Sequence, residues 1–432
     1  MAIGVVPRVA RTLALVLAGL FVAVLAGAAF APLAQASGST ESIRGTLEER
    51  TADDERIPVP GVRIAIEGEG FEGEGVTDEN GDWLVELPGP GSYTAALDES
   101  TLPDEVVLRD AEDNPWSGEV RTGRSQVVRF NLGEGVARSA STLDRILERG
   151  SVGLRFGLLL ALAAVGLSLI FGTTGLTNFA HAEQVTLGGL LGYTFAAGMG
   201  VPLVLAAVMV LIAGALFGWT QDAALWKPLR RRGTGIIPMM IVTIGLSLFA
   251  RSVVQAFYGS SPRSFPHRSP VVDLGPTRLT VYDYVTMGVA AALLVAVAYV
   301  LLRTRWGKAT RAVSDNPALA AASGINVDAV VRGVWTVGAA LAALGGMFLG
   351  LSQQVSAQMG VNMLLLMFAA VVLGGLGTAF GAMAGALIVG VFIEVSTIVI
   401  PTEIKNVGAL AILILILLVR PQGMLGRRER VG

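Results

Sequence analysis

Leu162-Ala163-Ala164-Val165-Gly166-Leu167-Ser168-Leu169-Ile170-Phe171-Gly172-Thr173-Thr174-Gly175, running on into Leu176-Thr177-Asn178-Phe179-Ala180-His181-Ala182-Glu183-Gln184, decides the class of fold. The first part closes an apolar run that begins near Gly153, long enough for a helix to cross the ~20 residues' worth of hydrocarbon in a bilayer. Gly172-Thr-Thr-Gly175 then interrupts it. Asn178, His181, Glu183 and Gln184 follow before the next apolar run. Four hydrogen-bonding or ionisable side chains between two spans are costly unless they face a cavity, a partner or an interface. A glycine-broken segment is expected where a helix is interrupted beside a transport pathway. Glu183 has two readings, snorkelling to the membrane surface or a place in the pathway.

Further along the chain the same apolar pattern recurs. Segments near 153–172, 179–199, 201–220, 235–257, 281–302, 328–351, 361–374, 379–399 and 406–419 predict nine spans, the seventh of them short. Small-xxx-small pairs such as Gly188/Gly192 and Gly381/Gly385 let helix backbones approach closely in lipid. Glu394 lies inside the eighth span, with a buried pairing role or a pathway role. Positive charge follows the third span (Lys227, Arg230, Arg231, Arg232), the fifth (Arg303, Arg305, Lys308, Arg311) and the ninth (Arg420, Arg427, Arg428, Arg430). Odd-numbered spans therefore end in the cytoplasm by the positive-inside rule, with the C-terminal tail 421–432 cytoplasmic. Arg263, Arg268 and Arg278 in the 258–280 loop run against that bias. Between the fifth and sixth spans, Lys308–Asp328 is Ala-rich, too polar to span, and carries helix-boundary signals at Asp315-Asn316-Pro317 and Gly324. It reads as a helical cytoplasmic loop, either a simple surface helix or a dock for a soluble subunit.

Upstream, the character of the chain changes. Of the 34 acidic residues 23 fall between Ser37 and Val136, against 8 of the 32 basic ones, a net charge of −15 with no lysine. The 15% charged content of the whole chain, against the ~25% usual for soluble proteins, is thus concentrated in one domain of a different class. Short segments with a period of two, Val62–Ile66, Trp83–Leu87 and Ser92–Leu97, alternate with Asp78-Glu-Asn-Gly81 and Pro88-Gly-Pro-Gly91 turns. They predict an all-β sandwich over 37–136. Its acidic side chains offer oxygen ligands but no EF-hand spacing, and a solvated acidic surface is the expected reading. At the very start, Arg8 and Arg11, the apolar run Leu13–Pro32 and Ala34-Gln35-Ala36 make a secretory signal peptide or, uncleaved, an anchor helix over 1–36. Either sends the acidic domain across the membrane, which agrees with an odd number of spans. A linker and interfacial helix is expected over 137–152, ahead of a membrane domain at 153–420.

Several chemistries find no residues. There is no cysteine and no GxxxxGK[ST] loop, so neither thiolate chemistry nor ATP hydrolysis is expected in this chain. The two histidines, His181 and His267, fall on different sides of the expected bilayer. No metal site, cofactor, catalytic residue or nucleic-acid partner is expected.

Leu162–Gly172 with Asn178–His181, Lys227-Pro-Leu-Arg230, Ile244-Gly-Leu-Ser-Leu248, Arg311–Asp315 with Gly324-Ile325, Val372–Gly377 with Gly381–Gly385, and Arg420-Pro-Gln-Gly423 stand in the order found in one family. Over about 150–426 the chain resembles the permease subunits of branched-chain amino-acid ABC importers. The resemblance implies a second permease subunit, two cytoplasmic ATP-binding subunits and an extracytoplasmic substrate-binding protein. It also implies that Arg311, Asp315, Asn316, Gly324 and Ile325 lie where an ATPase docks. Ala182 stands where the family usually has Gly, and the N-terminal extension is an addition to it. Urea-importer permeases resemble this chain in fold and in having such an extension, so urea is a rival substrate. Val59–Val62, Thr77–Trp83 and Gly91-Ser-Tyr93 make residues 43–97 similar to the carboxypeptidase-regulatory-like (prealbumin-like) family, which implies a fold and no function. A reading of another class, a membrane-anchored surface receptor or adhesion protein working through the β-domain, leaves the nine spans and the helical loop without a purpose.

Overall fold

The computed structural model describes residues 41–400 except 51–55, 69, 104–105, 109–113, 121–124, 129, 131, 133–141, 260, 266–268 and 275–276, together with Ile414 and 423–425. The signal segment, residues 137–141 of the expected linker, His267, the C-terminal arginines and all but Ile414 of the ninth apolar segment lie outside the described residues. The chain divides into two compact units, Leu33–Ala140 and a second holding Ser141–Gly432.

In the first unit the period-two segments form strands. They are β1 Ser42–Thr46, β2 Glu48–Arg50, β3 Arg56–Pro58, β4 Arg63–Gly68, β5 Phe71–Val76, β6 Asp82–Glu86, β7 Gly91–Leu97, β8 Trp116–Val120 and β9 Ser125–Val127. They build one sheet of order β6-β1-β9, another of order β5-β4-β7-β8 and a β2-β3 pair. Alternation sends Ile64 and Ile66 inward and Arg63, Ala65 and Glu67 outward. Inward residues of both larger sheets, Ile43, Trp83 and Val85 from one and Ile64, Ile66, Tyr93 and Ala95 from the other, share one core, as in a sandwich. Asp78 serves the turn before β6, its Oδ1 accepting from the amides of Asn80 (2.8 Å) and Asp82 (2.9 Å). Gly81 takes the φ of +75° that the turn requires. Among the described residues no group of three metal-ligating side chains forms.

The second unit is helical: α1 Thr142–Thr174, α2 His181–Tyr193, α3 Leu203–Gln221, α4 Ile236–Tyr258, α5 Val281–Arg303, α6 Arg305–Asp315, α7 Pro317–Ala322, α8 Val327–Ser352, α9 Met359–Gly374 and α10 Ala379–Ser396. A hairpin, β10 Val271–Leu274 with β11 Thr277–Thr280, precedes α5. α3 continues through a π-helical turn, Asp222–Trp226, into Lys227–Arg231. Six of these helices are long and apolar enough to span a membrane. Of the other expected spans, α9 is a shorter apolar helix of 16 residues, and α2 is 13 residues long with a π-helical turn continuing it to Gly198. α1 runs unbroken from Thr142. From Thr142 on, the segment expected as an interfacial helix is continuous with the helix of the first span, and residues 142–149 are exposed.

α1 and α8 form the centre, with 72% and 83% of their apolar windows buried, against 22% for α3, α4 and α5. Their neighbours approach through glycine. A methyl on Gly188 would overlap the Ala343 carbonyl, one on Gly346 the Val185 carbonyl, and one on Gly385 the Ala370 carbonyl. Backbone packing of this kind is what small residues permit in lipid.

Candidate functional site

The break in the first span is a reversal. α1 ends at Thr174, Gly175 adopts φ +68°, and the chain turns back. Asn178 closes the next turn, its Oδ1 accepting from the Ala180 amide at 3.1 Å. α2 then starts at His181, with the ring Nε2 2.9 Å from the Ala163 carbonyl oxygen. A carbonyl is only an acceptor, so Nε2 carries the proton. Ala163 lies about 17 Å back along α1 from its end at ~1.5 Å per residue. α2 is therefore a half-helix that begins inside the bundle. Asn178 (0% exposed), His181 (0%), Glu183 (6%) and Gln184 (1%) are all interior.

Each of these side chains meets a different neighbour. α4 supplies a polar stripe at helical spacing, Thr243, Ser247 and Arg251. Thr243 Oγ1 accepts from the Phe179 amide at 3.2 Å. Ser247 Oγ donates to Glu183 Oε1 at 2.9 Å, and Arg251 Nη2 stands 3.8 Å from the same oxygen. Gln184 Nε2 donates to Gln221 Oε1, at the end of α3, at 2.9 Å. Some capacity is left over: Asn178 Nδ2, His181 Nδ1, Glu183 Oε2 and Gln184 Oε1 are buried without a hydrogen-bond partner. Such a surplus of polar atoms in an apolar bundle fits groups that meet a passing polar solute or water.

Beside Gln221, the fully buried Asp222 opens the π-helical turn. Its Oδ1 lies 2.7 Å from Arg230 Nη2 and its Oδ2 3.6 Å from Arg332 Nε. The Arg332 guanidinium also covers the Trp219 ring at 5.6 Å. Asp328 pairs with Lys227 at 3.2 Å and Arg231 at 3.0 Å. Trp226 and Trp335 stack with centroids 5.2 Å apart. Asp328, Arg332 and Trp335 lie on one face of α8, so that face is riveted to the far end of the α3 span.

α6 and α7 precede this ion-pair cluster directly. The expected single helical loop is two helices. Asn316 breaks them in extended conformation and caps α7, accepting from the Leu319 amide at 3.0 Å. Gly324, φ +82°, ends the pair. Val313 and Ala320 face inward, while Arg311, Asp315, Asn316 and Leu319 (65%) are exposed and Ile325 packs against the core. Glu394 is buried (7%) but belongs elsewhere. It follows Gly390, which packs on Gly153 and Gly157 of α1. That places it on the order of 15 Å along α1 from the contact of His181 with Ala163.

The structure thus gathers Asn178, His181, Glu183 and Gln184 and leaves Glu394 apart. The sequence reading passes over Gln221, Asp222, Ser247, Arg251 and Arg332, although Asp222 and Arg251 are charges inside or at the edge of apolar runs, which is a visible signal.

A bundle of helices apolar enough to span a membrane, with an interior half-helix and a buried polar seam, fits a transport permease. A family model described as "Branched-chain amino acid transport system / permease component" matches residues 151–418, and the chain belongs to that family. It is 32% identical over 296 residues to the high-affinity branched-chain amino acid transport system permease protein LivH of Escherichia coli K12, covering 64% of this chain and 94% of that one. It is 32% identical over 293 residues to BraD of Pseudomonas aeruginosa, named as a permease protein of the same kind of system, with the same coverage. To the probable LivH of Methanocaldococcus jannaschii it is 29% identical over 282 residues, covering 62% and 89%. No solved structure matches.

Proposed function

We propose that this chain moves branched-chain amino acids inward across the plasma membrane as one permease subunit of an ATP-binding-cassette importer. The observation that carries the reading is the interior start of α2, which sets Asn178, His181, Glu183 and Gln184 inside an apolar bundle. The permease has no catalytic residue of its own. Energy comes from two cytoplasmic ATP-binding subunits docking on the exposed face of α6 and α7 around Arg311, Asp315, Asn316 and Gly324, with Leu319 as an apolar knob. Ile325, packed beneath, ties that face to the core. A second permease subunit completes the pathway, and an extracytoplasmic binding protein delivers substrate. The basic residues after the third and fifth spans support a cytoplasmic side for α6 and α7, and the signal-like start of the sequence supports an outside position for the acidic β-domain. There its charge of −15 acts over a Debye length of about 8 Å at physiological salt, repelling acidic and attracting basic surfaces.

Uptake of labelled leucine and labelled urea, in cells with and without this gene, tests the reading. Loss of concentrative leucine uptake on deletion supports it. Loss of urea uptake alone overturns the substrate assignment in favour of the rival amide. Deleting residues 41–136 separates a transporter, which keeps its uptake, from a surface receptor, which loses its function.

A further inference from the structure

Arg263 is one of the three arginines in the 258–280 loop that run against the charge bias, and its contacts join three elements. The guanidinium carbon lies 5.7 Å from the centre of the Tyr193 ring and 5.5 Å from that of Tyr258. Nη2 donates to the Tyr258 carbonyl at 2.8 Å. Tyr193 and Tyr258 are the last residues of α2 and α4. The Arg263 backbone pairs in both directions with Val355, between α8 and α9, each N–H reaching the other's carbonyl at 2.8 Å. Two residues on, the Phe265 ring meets the Tyr193 ring edge to face at 5.8 Å. A methyl on Gly350, in the last turn of α8, would touch the side chains of Val355 and Phe265. Arg263 therefore sits where α2, α4 and α8 finish. That end lies away from α6 and α7, which lead into the start of α8.

These contacts close one end of the polar seam. Toward α8, α2 packs backbone to backbone through Gly188 and Gly346. Toward α4 it is joined by hydrogen bonds: Phe179 to Thr243, Ser247 to Glu183 and, at this end, Thr194 Oγ1 with the Tyr258 hydroxyl at 3.2 Å. α4 is also peripheral, with 22% of its apolar window buried against 83% for α8. Of these two neighbours, α4 is the one that can part from α2 at low cost. The fastening between them is of a kind that opens. Arg263 is half-buried, and among the described residues ring faces and a carbonyl hold it rather than a carboxylate. Cation–π contacts at such sites are weak enough to break and re-form. The far end of α3, by contrast, is fastened to α8 through the fully buried Asp222. Just past Tyr193 the chain runs through the π-helical turn Thr194–Gly198, a distortion that recurs at functional sites.

We propose that Arg263 is a reversible clasp that shuts the end of the α2–α4 seam remote from α6 and α7. The seam opens to that side when the guanidinium leaves the two tyrosine rings. Arg263 is thus a positioning residue, acting on the seam through the helix ends it holds together. Arginine suits the task, since its planar guanidinium covers ring faces while its N–H groups still donate in the plane. A positive charge on the disfavoured side of the bundle thereby has a use. The inference rests on reading the seam as the pathway of a permease.

The chain has no cysteine, so one introduced thiol reports access without background. Ser247→Cys places it in the seam. Thr186→Cys places it where α2 packs on α9, at the position whose Oγ1 accepts from the Gly360 amide. The purified full chain in lipid nanodiscs is treated with a charged, membrane-impermeant thiosulfonate. Adding Arg263→Ala raises the labelling rate of Ser247→Cys by about 10- to 30-fold, as loss of two cation–π contacts and one hydrogen bond predicts. Thr186→Cys stays as slow as before. Arg263→Lys, which keeps the charge but not the plane, falls between. An unchanged rate at Ser247→Cys overturns the clasp. So does an equal rise at both thiols, because α2 then loosens as a whole. Should Arg263→Ala fail to accumulate, Tyr193→Leu removes one of the two rings, and the same outcomes decide. Failure of the permease reading shows elsewhere: the unaltered gene then supports no leucine uptake, whatever the labelling.

Discussion

Replacing Asp222 by Asn removes a charge while keeping shape, at a point where the structure allows the cost to be worked out. Asp222 is fully buried, with Arg230 at 2.7 Å and Arg332 at 3.6 Å. Removing one partner of a buried ion pair typically costs ~3–5 kcal/mol, since it strands the other charge. Here the stranded groups are two arginines whose side chains keep 20% and 30% exposure, so water reaches them and the cost moves to the lower end. About 3 kcal/mol is expected, a roughly 100-fold shift in the unfolding equilibrium at ~1.4 kcal/mol per decade. The assay is reversible unfolding of the purified chain in mixed micelles, followed by tryptophan fluorescence. The stacked Trp226 and Trp335 adjoin the network and report its loss. Asp222→Asn, Arg230→Gln and the double variant form a cycle that isolates the pair. Coupling of ~1 kcal/mol or more is expected. A single variant as stable as the unaltered chain, or a cycle that closes to zero, refutes the claim that this pair ties the π-helical turn to the Lys227–Arg231 helix after it.

Three further outcomes follow from other parts of the structure. Gly188→Val forces a side chain into the Ala343 backbone and is expected to destabilise by ~1–3 kcal/mol or more, as overpacking does; Gly245→Val, with nothing within 4 Å of its β-position, is the control that stays near neutral. Asp315→Lys on the exposed end of α6 reduces transport while membrane insertion is unchanged, and normal transport with normal ATPase stimulation counts against docking there. In the β-domain, hydrogen bonds from the Ser100 hydroxyl and amide hold the Asp98 carboxyl below its ordinary value. Because the folded value is depressed, the contribution is present above the unfolded value and lost as pH falls through the folded one. Amide exchange at Ser100, whose N–H donates to the Asp98 carboxyl, should lose protection over that acid range in the full chain, and the same pH profile in Asp98→Asn would refute the link.

Much of the architecture is legible because it depends on local pattern. The strands of the β-domain show a period of two, and the Asp78–Gly81 turn carries residues that build it whatever surrounds them. The boundary at Asn316 is equally local: an asparagine before proline cannot easily continue a helix, and its side chain caps the next one. Length averaging, by contrast, hides single residues. A window over 235–257 reads as apolar with Arg251 inside it, and the window ending at 220 stops just short of Gln221 and Asp222. Both charges are visible in the sequence, but their importance depends on which helix faces them.

Depth is harder to read than sequence position. Gly172-Thr-Thr-Gly175 marks a break, and a break alone is compatible with a loop at the membrane surface. What places α2 inside the bundle is the contact of His181 with Ala163, a carbonyl three turns up a different helix. That contact exists because α2 packs against α8 through Gly188 and Gly346 and against α9 through Ala182 and Gly360. These are non-local pairings that periodicity cannot reveal. They also explain why the polar residues are tolerated there: α1, α8 and α9 bring backbones close enough to exclude lipid, and α4 supplies the hydroxyls and the arginine. The interior polar seam is thus a consequence of glycine packing, so a substitution that spreads α2 from α8 should disturb the Glu183–Ser247 and Gln184–Gln221 contacts without touching any of the four residues that make them.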